Sequence, residues 1–286
     1  MSSNRTIYTK YREKMHKLVD LIDELDIFSE QEFNAYSTYF SKTIKKETSF
    51  PLFRYSSLRY NEKFSLVLDC LYLSCNGNLN DVFEGLPASW YDIYSADEYL
   101  RKVKNLCHMK CFTETCTNNL MWAHYADEFK GVCVEYDLKK LQDDSLRAEF
   151  FPVYYTKERK IWIDKDLLIN YWDGYTEDDV ISDTKGIFLQ KADYWRYEKE
   201  WRICRINRDP QNTQAICIDF PCVSAVYLGP RVDKNDIRKI IEAVRDYEEK
   251  YSQTVGLYQM VFDDHAYDLH PLEISRHVNW EESDNV

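Results

Sequence analysis

Glu198 and Glu200 are the residues whose types and spacing most directly suggest chemistry. They lie two positions apart in the stretch 191–202, which reads KADYWRYEKEWR, where a strand is predicted to begin. In an extended chain this spacing points both side chains to one face. Two neighbouring carboxylates repel each other, which raises the pKa of one of them. Such a pair suits a reaction with an oxocarbenium-ion transition state. A surface charge ladder with Lys199 and Arg202 is the structural alternative.

Other polar and aromatic side chains could bind a nucleotide sugar. Arg54, on a predicted early strand, could hold phosphates bidentately with a permanent charge. Trp122 and Tyr125 could form an aromatic wall for an adenine or similar flat ring. His124 is a candidate donor to a pyrophosphate, and Lys191 could neutralise phosphate. Each residue also has a structural alternative. The two rings could pack in the core, and the histidine could make hydrogen bonds only within the protein. The lysine could be solvated, and Arg54 could form an ion pair.

Two metal-dependent chemistries compete with this interpretation. Glu135, Asp137 and Lys139 offer the acid-x-Lys pattern of restriction-type nucleases at a predicted strand end, and Asp81 is a candidate further ligand. The lysine also fits an ordinary helix start. The second possible metal is zinc, for which the candidate ligands are Cys107, Cys111, Cys116 and His124. However, their C-x₃-C-x₄-C spacing lacks the tight C-x₂-C knuckle of zinc sites. We therefore expect no metal, and a nuclease remains the alternative enzyme.

The predicted secondary structure places these residues in an α+β body. Short β-branched or aromatic runs alternate with turn signals, and one long charged segment has helical spacing. A helix is also predicted over 57–69, between the first two strands. The predicted strands are 52–55, 71–75, 110–113, 132–136, 151–155, 201–206, 215–218, 225–228, 257–262 and 269–274, and the long helix is 233–251.

The first 49 residues have a different pattern, which predicts a helical hairpin. Apolar residues recur at three- and four-residue steps from Tyr8 to Phe28. Ser29 and Glu32 then fit a capping box, which predicts a second helix over 30–45. We expect an extension at 1–49 that packs on the main domain or mediates contact with a partner or another copy, followed by an α+β domain at 50–286.

Composition limits the classes of function. The 286 residues include 44% hydrophobic and 30% charged residues but only seven glycines, which excludes a low-complexity chain and disfavours Gly-rich phosphate loops. The net charge of −12 argues against a uniformly basic, nucleic-acid-tracking surface. Nine scattered cysteines and an N-terminus without an apolar core predict free thiols and a cytoplasmic location. Apolar runs are shorter than the roughly 20 residues that a membrane helix requires.

Three ordered motifs resemble the bacterial family called domain of unknown function 2971. They are Asn80–Glu84, which reads NDVFE, Met121–Val132 with its WAHYAD and KGV parts, and Lys191–Arg202. The resemblance spans about residues 52–274. Val82 stands where the family usually has proline. This difference loosens the turn but leaves its carboxylates in place. The family carries no assigned activity.

The order of Arg54, then Tyr72 and Ser74, then a late Glu-x-Glu also resembles the plan of the ADP-ribosyltransferases. That resemblance implies a split two-sheet fold with NAD as substrate. It places Arg54 on the phosphates and Glu200 with its companion Glu198 at the sugar. The residues around nicotinamide and ribose would be Tyr72, Ser74, Trp122 and Tyr125. It also implies transfer of ADP-ribose to a protein or nucleic-acid acceptor, as in a toxin or an antiphage effector. A non-enzymatic module that recognises a nucleotide or peptide is the third hypothesis.

Overall fold

A computed structural model describes residues 51–58, 68–75, 80–81, 83–84, 107–141, 146, 150–157, 188–206 and 214–274. Within these residues the fold is α+β, with mixed strand pairing and few helices. The chain divides into two compact units. The first unit contains the described residues of Leu71–Glu114 and Leu138–Ile218, and the second those of Pro51–Cys70, Thr115–Asp137 and Asp219–Val286.

The first unit is built around one long antiparallel pair of strands. β3 (Cys107–Thr113) pairs along its length with β8 (Glu200–Ile206). β3 also pairs with β2 (Cys70–Cys75), beyond which lies β9 (Ile216–Asp219). β5 (Phe150–Pro152) pairs with the other edge of β8 in antiparallel orientation. A separate parallel pair is formed by β6 (Tyr154–Thr156) and β7 (Gln190–Ala192).

Side-chain alternation gives β8 two different faces. Trp201 and Ile203 point to one face, where Phe112 and Phe150 pack at a centroid distance of 5.2 Å. Glu200 and Arg202 necessarily point to the other face, because successive strand residues alternate. Both of these charged residues are nevertheless buried. The strand therefore carries an apolar core on one side and a buried charged group on the other.

The second unit contains five paired strands, β1 (Leu52–Ser56), β4 (Val132–Tyr136), β10 (Val223–Leu228), β11 (Gly256–Phe262) and β12 (Leu269–Glu273). They pair in the order β12-β11-β10-β4-β1. Only the β10–β11 pair among them is parallel.

Two helices lie entirely within the described residues of this unit, α1 (Asn119–Tyr125) and α2 (Lys234–Tyr251). The side chain of Asp233 caps α2 by accepting a hydrogen bond from the Asn235 amide at 2.8 Å, which satisfies one of the free donors of the first turn. The apolar residues of α2 form one buried stripe, as expected for an amphipathic helix. They are Ile237, Ile240, Ile241, Ala243, Val244 and Tyr247.

Gly131, just before β4, allows two backbone segments to meet. A Cβ at this position would lie 2.2 Å from the Ser56 carbonyl oxygen and 2.9 Å from the Ala126 Cα. Neither backbone atom can move aside as a flexible side chain could. The glycine of the KGV part of the second motif is therefore required by the close approach of β1 and the end of α1 to the start of β4.

The described elements confirm most of the predicted strands and the long helix. The predicted strand 151–155 is wrong in detail, because Val153 separates β5 from β6 and each half has a different partner. α1 was not predicted, since its seven residues are too few to establish a helical period. The predicted hairpin at 1–49 and most of the predicted helix 57–69 lie outside the described residues.

The described part of the chain contains no helix with the length and apolar character needed to cross a membrane.

Candidate functional site

The Glu-x-Glu pair lies at a sharp change of backbone direction. Glu198 ends a 3₁₀ helix (Asp193–Glu198), Glu200 begins β8, and Lys199 between them has φ 45° and ψ 53°. The prediction that one extended strand carries both carboxylates is therefore wrong in its geometry. The carboxylates converge because a left-handed residue turns the chain, which costs a non-glycine residue roughly 1–2 kcal/mol.

Lys191 joins the two carboxylates. Its Nζ donates to Glu198 Oε2 at 2.5 Å and to Glu200 Oε2 at 2.9 Å. The parallel pairing of β6 with β7 sets Lys191 opposite Tyr155, whose hydroxyl accepts the Glu200 backbone N–H at 2.8 Å. Lys191 also lies 5.0 Å from the centre of the Trp195 ring. Two short strands thus hold the ammonium group at the beginning of β8.

Arg202 and Glu84 complete the buried charged group. Arg202 Nε and Nη2 donate to the two oxygens of Glu200 at 2.7 and 2.9 Å. Nη2 also donates to Glu84 Oε1, and Nη1 donates to the Phe188 carbonyl oxygen. Glu84 Oε1 lies 3.1 Å from Lys191 Nζ. We call Glu84, Lys191, Glu198, Glu200 and Arg202 the charged cluster.

The charged cluster is almost closed to solvent. The residue exposures are 4% for Glu84, 2% for Glu198, 6% for Glu200, 6% for Lys191 and 0% for Arg202. Burial raises the pKa of Glu200, but Arg202 and Lys191 outweigh it and lower that pKa to about 2. Burial likewise lowers the pKa of Lys191, while the carboxylates, Glu200 first, raise it above its usual value. Glu200 is therefore an anion, and Lys191 a cation, at neutral pH.

Lys199→Gly should stabilise the protein by about 1 kcal/mol, because glycine adopts positive φ without the Cβ penalty. Lys199→Val should destabilise it, since a β-branched residue resists this conformation. Urea unfolding of both variants beside the wild type checks the prediction. A Lys199→Gly variant clearly less stable than the wild type would contradict the strained geometry.

The other predicted site residues are distributed between the two units. Tyr72 and Ser74 lie in the first unit on the exposed face of β2, where Tyr72 has 43% exposure. Arg54 lies in the second unit on β1, beside Tyr136. Burial raises the pKa of Tyr136, and the neighbouring Arg54 partly offsets this. That Arg54 and Glu200 line one pocket stays a prediction.

The aromatic residues of the second motif belong to the second unit. Trp122 has 0% exposure, donates from Nε1 to the Cys116 carbonyl oxygen at 2.7 Å, and meets the Tyr55 ring edge-on. This is a core environment. His124 is exposed on α1, and its ring lies 6.2 Å from that of the half-buried Tyr125. Contact of these residues with a ligand stays a prediction.

The residues of the nuclease alternative have varied environments. Glu135 lies in the second unit and accepts hydrogen bonds from two hydroxyl groups. Asp81 lies in the first unit, where Oδ1 accepts the Phe83 N–H at 2.9 Å and Oδ2 is buried without a donor among the described residues. Lys139 is exposed. No group of three or more His, Cys, Asp or Glu among the described residues could hold a metal ion.

Several site residues were missed or undervalued from sequence. For Arg202 the sequence predicts only a place in a surface charge ladder, and for Tyr155 it predicts no role at the site. The sequence signal for Arg202 is its position two residues after Glu200 in a strand, which places both on one face. Glu84 and Tyr155 are 116 and 45 positions from Glu200, and only tertiary folding brings them near.

Comparison with known proteins gives a family match for part of the chain. No curated protein and no solved structure matches it, and no comparison supports the resemblance to ADP-ribosyltransferases. Residues 121–203 match the family described as "Protein of unknown function (DUF2971)", a region that includes the second and third motifs. This match supports the resemblance to the DUF2971 family over less than a third of the chain.

Proposed function

We propose that the protein is an ADP-ribosyltransferase-like enzyme that cleaves NAD and transfers ADP-ribose to a protein or nucleic-acid acceptor. Glu200, with Glu198 beside it, would act at the ribose. The observation that carries the proposal is the charge balance of the charged cluster, in which three carboxyl groups face two cations in a nearly dry site. A formally negative, desolvated group favours positive charge that develops next to it.

The proposed reaction generates such a positive charge. The bond between ribose C1′ and the nicotinamide nitrogen breaks, and the bonding electrons leave with nicotinamide, which becomes neutral. C1′ acquires oxocarbenium character until the acceptor's nucleophilic atom bonds to it and releases a proton. Glu200, kept ionised by Arg202 and Lys191, would stabilise that cation, and Glu198 would orient the acceptor or take its proton.

The backbone conformation of Lys199 supports the same proposal. Non-glycine residues with positive φ are costly, and they cluster at functional sites where the surrounding structure compensates for the strain. Here the residue lies between the two carboxylates and makes them converge. In the proposal, Tyr72 and Ser74 on the exposed face of β2 contribute substrate contacts in a split two-sheet cleft. Action as a toxin or antiphage effector would follow from the identity of the acceptor.

The test is NAD consumption by purified Glu200→Gln protein. Removing the charge while keeping the shape should lower the rate about 10²–10³-fold, the usual effect of losing an electrostatic contact to a transition state. Transfer of label from NAD to RNA, DNA or protein in a cell extract identifies the acceptor. Rates are divided by the folded fraction measured by circular dichroism.

Glu84→Gln is the matched control. Glu84 has similar burial and binds the same two cations, but the proposal gives it no contact with substrate. It should retain most activity per folded molecule. If the two variants lose activity equally, or if the wild type consumes no NAD, the charged cluster serves only to stabilise the fold and the proposal is wrong.

A further inference from the structure

Glu135 occupies an unusual position on the sheet of the second unit. It lies on the central strand β4, between Phe53 on β1 and Ala225 on β10. The pairing of β4 with β10 shifts register between Val223 and Ala225, and this irregularity lets the intervening Ser224 turn toward Glu135. Ser224 Oγ donates to Glu135 Oε1 at 2.7 Å.

Aromatic rings lie on the same face of the strands as this carboxylate. Tyr227 is two positions from Ala225 on the same face, and its hydroxyl donates to Glu135 Oε2 at 2.6 Å. The Tyr258 ring stacks on Tyr227 at 5.0 Å with an interplanar angle of 16°. Phe53 lies 6.1 Å from Tyr227. The Tyr258 ring also lies over Gly256. A Cβ on Gly256 would be 2.7 Å from Tyr258 Cε2 and 3.3 Å from the Ala225 Cβ. The glycine therefore allows this ring to lie close to Ala225, the neighbour of Glu135.

No cation among the described residues pairs with Glu135. Arg54 is on the neighbouring strand, but it is paired with Val134 and therefore faces the opposite side of the sheet. The negative charge still reaches nearby groups. The pKa of Cys116 is raised to about 12, mainly by burial and to a smaller extent by the charge of Glu135. Partial burial disfavours an isolated carboxylate, so a cation at this position would offset the desolvation of Glu135.

We propose that Glu135, Ser224, Tyr227, Tyr258 and Phe53 form a binding site for a guanidinium group, as carried by an arginine side chain of a partner. Each carboxylate oxygen accepts one hydroxyl donor and keeps a second lone pair, so the two oxygens can still receive the parallel N–H groups of a guanidinium. Tyr227 is buried, and the half-buried Tyr258 ring that stacks on it supplies a face for a planar cation. The site lies within the second unit and does not depend on the proposed NAD chemistry.

The experiment is calorimetric titration of the full chain with N-acetyl-arginine methylamide. The neutral citrulline analogue and the lysine analogue are compared at equal ionic strength. We expect saturable binding of the arginine compound, at least tenfold weaker binding of the lysine compound, and no binding of the citrulline compound. Methylguanidinium serves as a further arm, and binding as tight as that of the amide would assign recognition to the head group alone.

Glu135→Gln should weaken binding at least tenfold without loss of stability, because the amide keeps an acceptor for a hydroxyl and removes an unpaired charge. Tyr258→Leu tests the aromatic wall separately and should weaken binding several-fold. Glu273→Gln, on the exposed strand β12, is the matched control and should bind as the wild type does. The proposal is overturned if the wild type does not bind, if citrulline binds equally, if lysine binds more tightly, or if neither site variant changes affinity.

Discussion

Arg202→Met is expected to lower the free energy of unfolding by about 3–5 kcal/mol. The guanidinium has 0% exposure and bonds both oxygens of Glu200 as well as Glu84 and the Phe188 carbonyl oxygen. Methionine fills similar space but leaves three buried carboxyl groups with Lys191 as their common cation. Urea unfolding followed by tryptophan fluorescence measures the loss.

Two further variants separate the loss of charge pairing from the loss of packing. The double variant Arg202→Met with Glu200→Gln removes both partners, so it should recover about 2 kcal/mol of the loss. Lys239→Met breaks an exposed pair with Asp236 and should cost less than about 1 kcal/mol. If Arg202→Met is as mild as Lys239→Met, the charged cluster does not stabilise the fold in the way described.

The second large effect is a loss of stability in acid that depends on Glu200. Its pKa is about 2 in the folded protein and roughly 4.3 in an unfolded chain. Because the folded value is the lower one, the stabilisation is complete above the unfolded pKa and disappears as the pH falls from about 5 to below 2. The contribution at neutral pH is on the order of 3 kcal/mol. Denaturant unfolding at a series of pH values measures it.

Glu200→Gln should flatten this part of the stability profile, since the amide does not titrate. Asp236→Asn, at the exposed surface pair, should follow the wild-type profile. Nuclear magnetic resonance of the Glu200 carboxyl carbon gives the folded pKa directly. Parallel profiles for the wild type and Glu200→Gln, or a Glu200 pKa near 4, would contradict the charge balance described for this group.

Local pattern was sufficient to predict most of the described strands. β4, for example, is a five-residue run of valine, cysteine, glutamate and tyrosine between turn residues, and its bounds were predicted without error. α2 was predicted because eighteen residues display the helical period clearly. The seven-residue α1 has too few turns to show one. The break at Val153 depends on which strands pair with each half, and this is a property of the tertiary fold.

The candidate site was predictable to a smaller extent. The sequence identified Glu198 and Glu200, and it indicated Lys191, because charged and aromatic residues are concentrated in one short stretch. It did not indicate that Arg202 would be buried against Glu200, since a charged residue in a charged stretch is usually solvated. The turn at Lys199 was unpredictable for a related reason. Lysine has no preference for positive φ, and only the contacts on either side impose it.

The edge strand β12 of the second unit affects how the protein meets other chains. β12 is paired only with β11 among the described strands, and four of its five residues are exposed, including His270, Pro271 and Glu273. Proline has no N–H to offer an incoming strand, and charged neighbours discourage close stacking. This border is therefore poorly suited to polymerisation by strand addition. Recognition by this unit should instead depend on side chains that project from its faces.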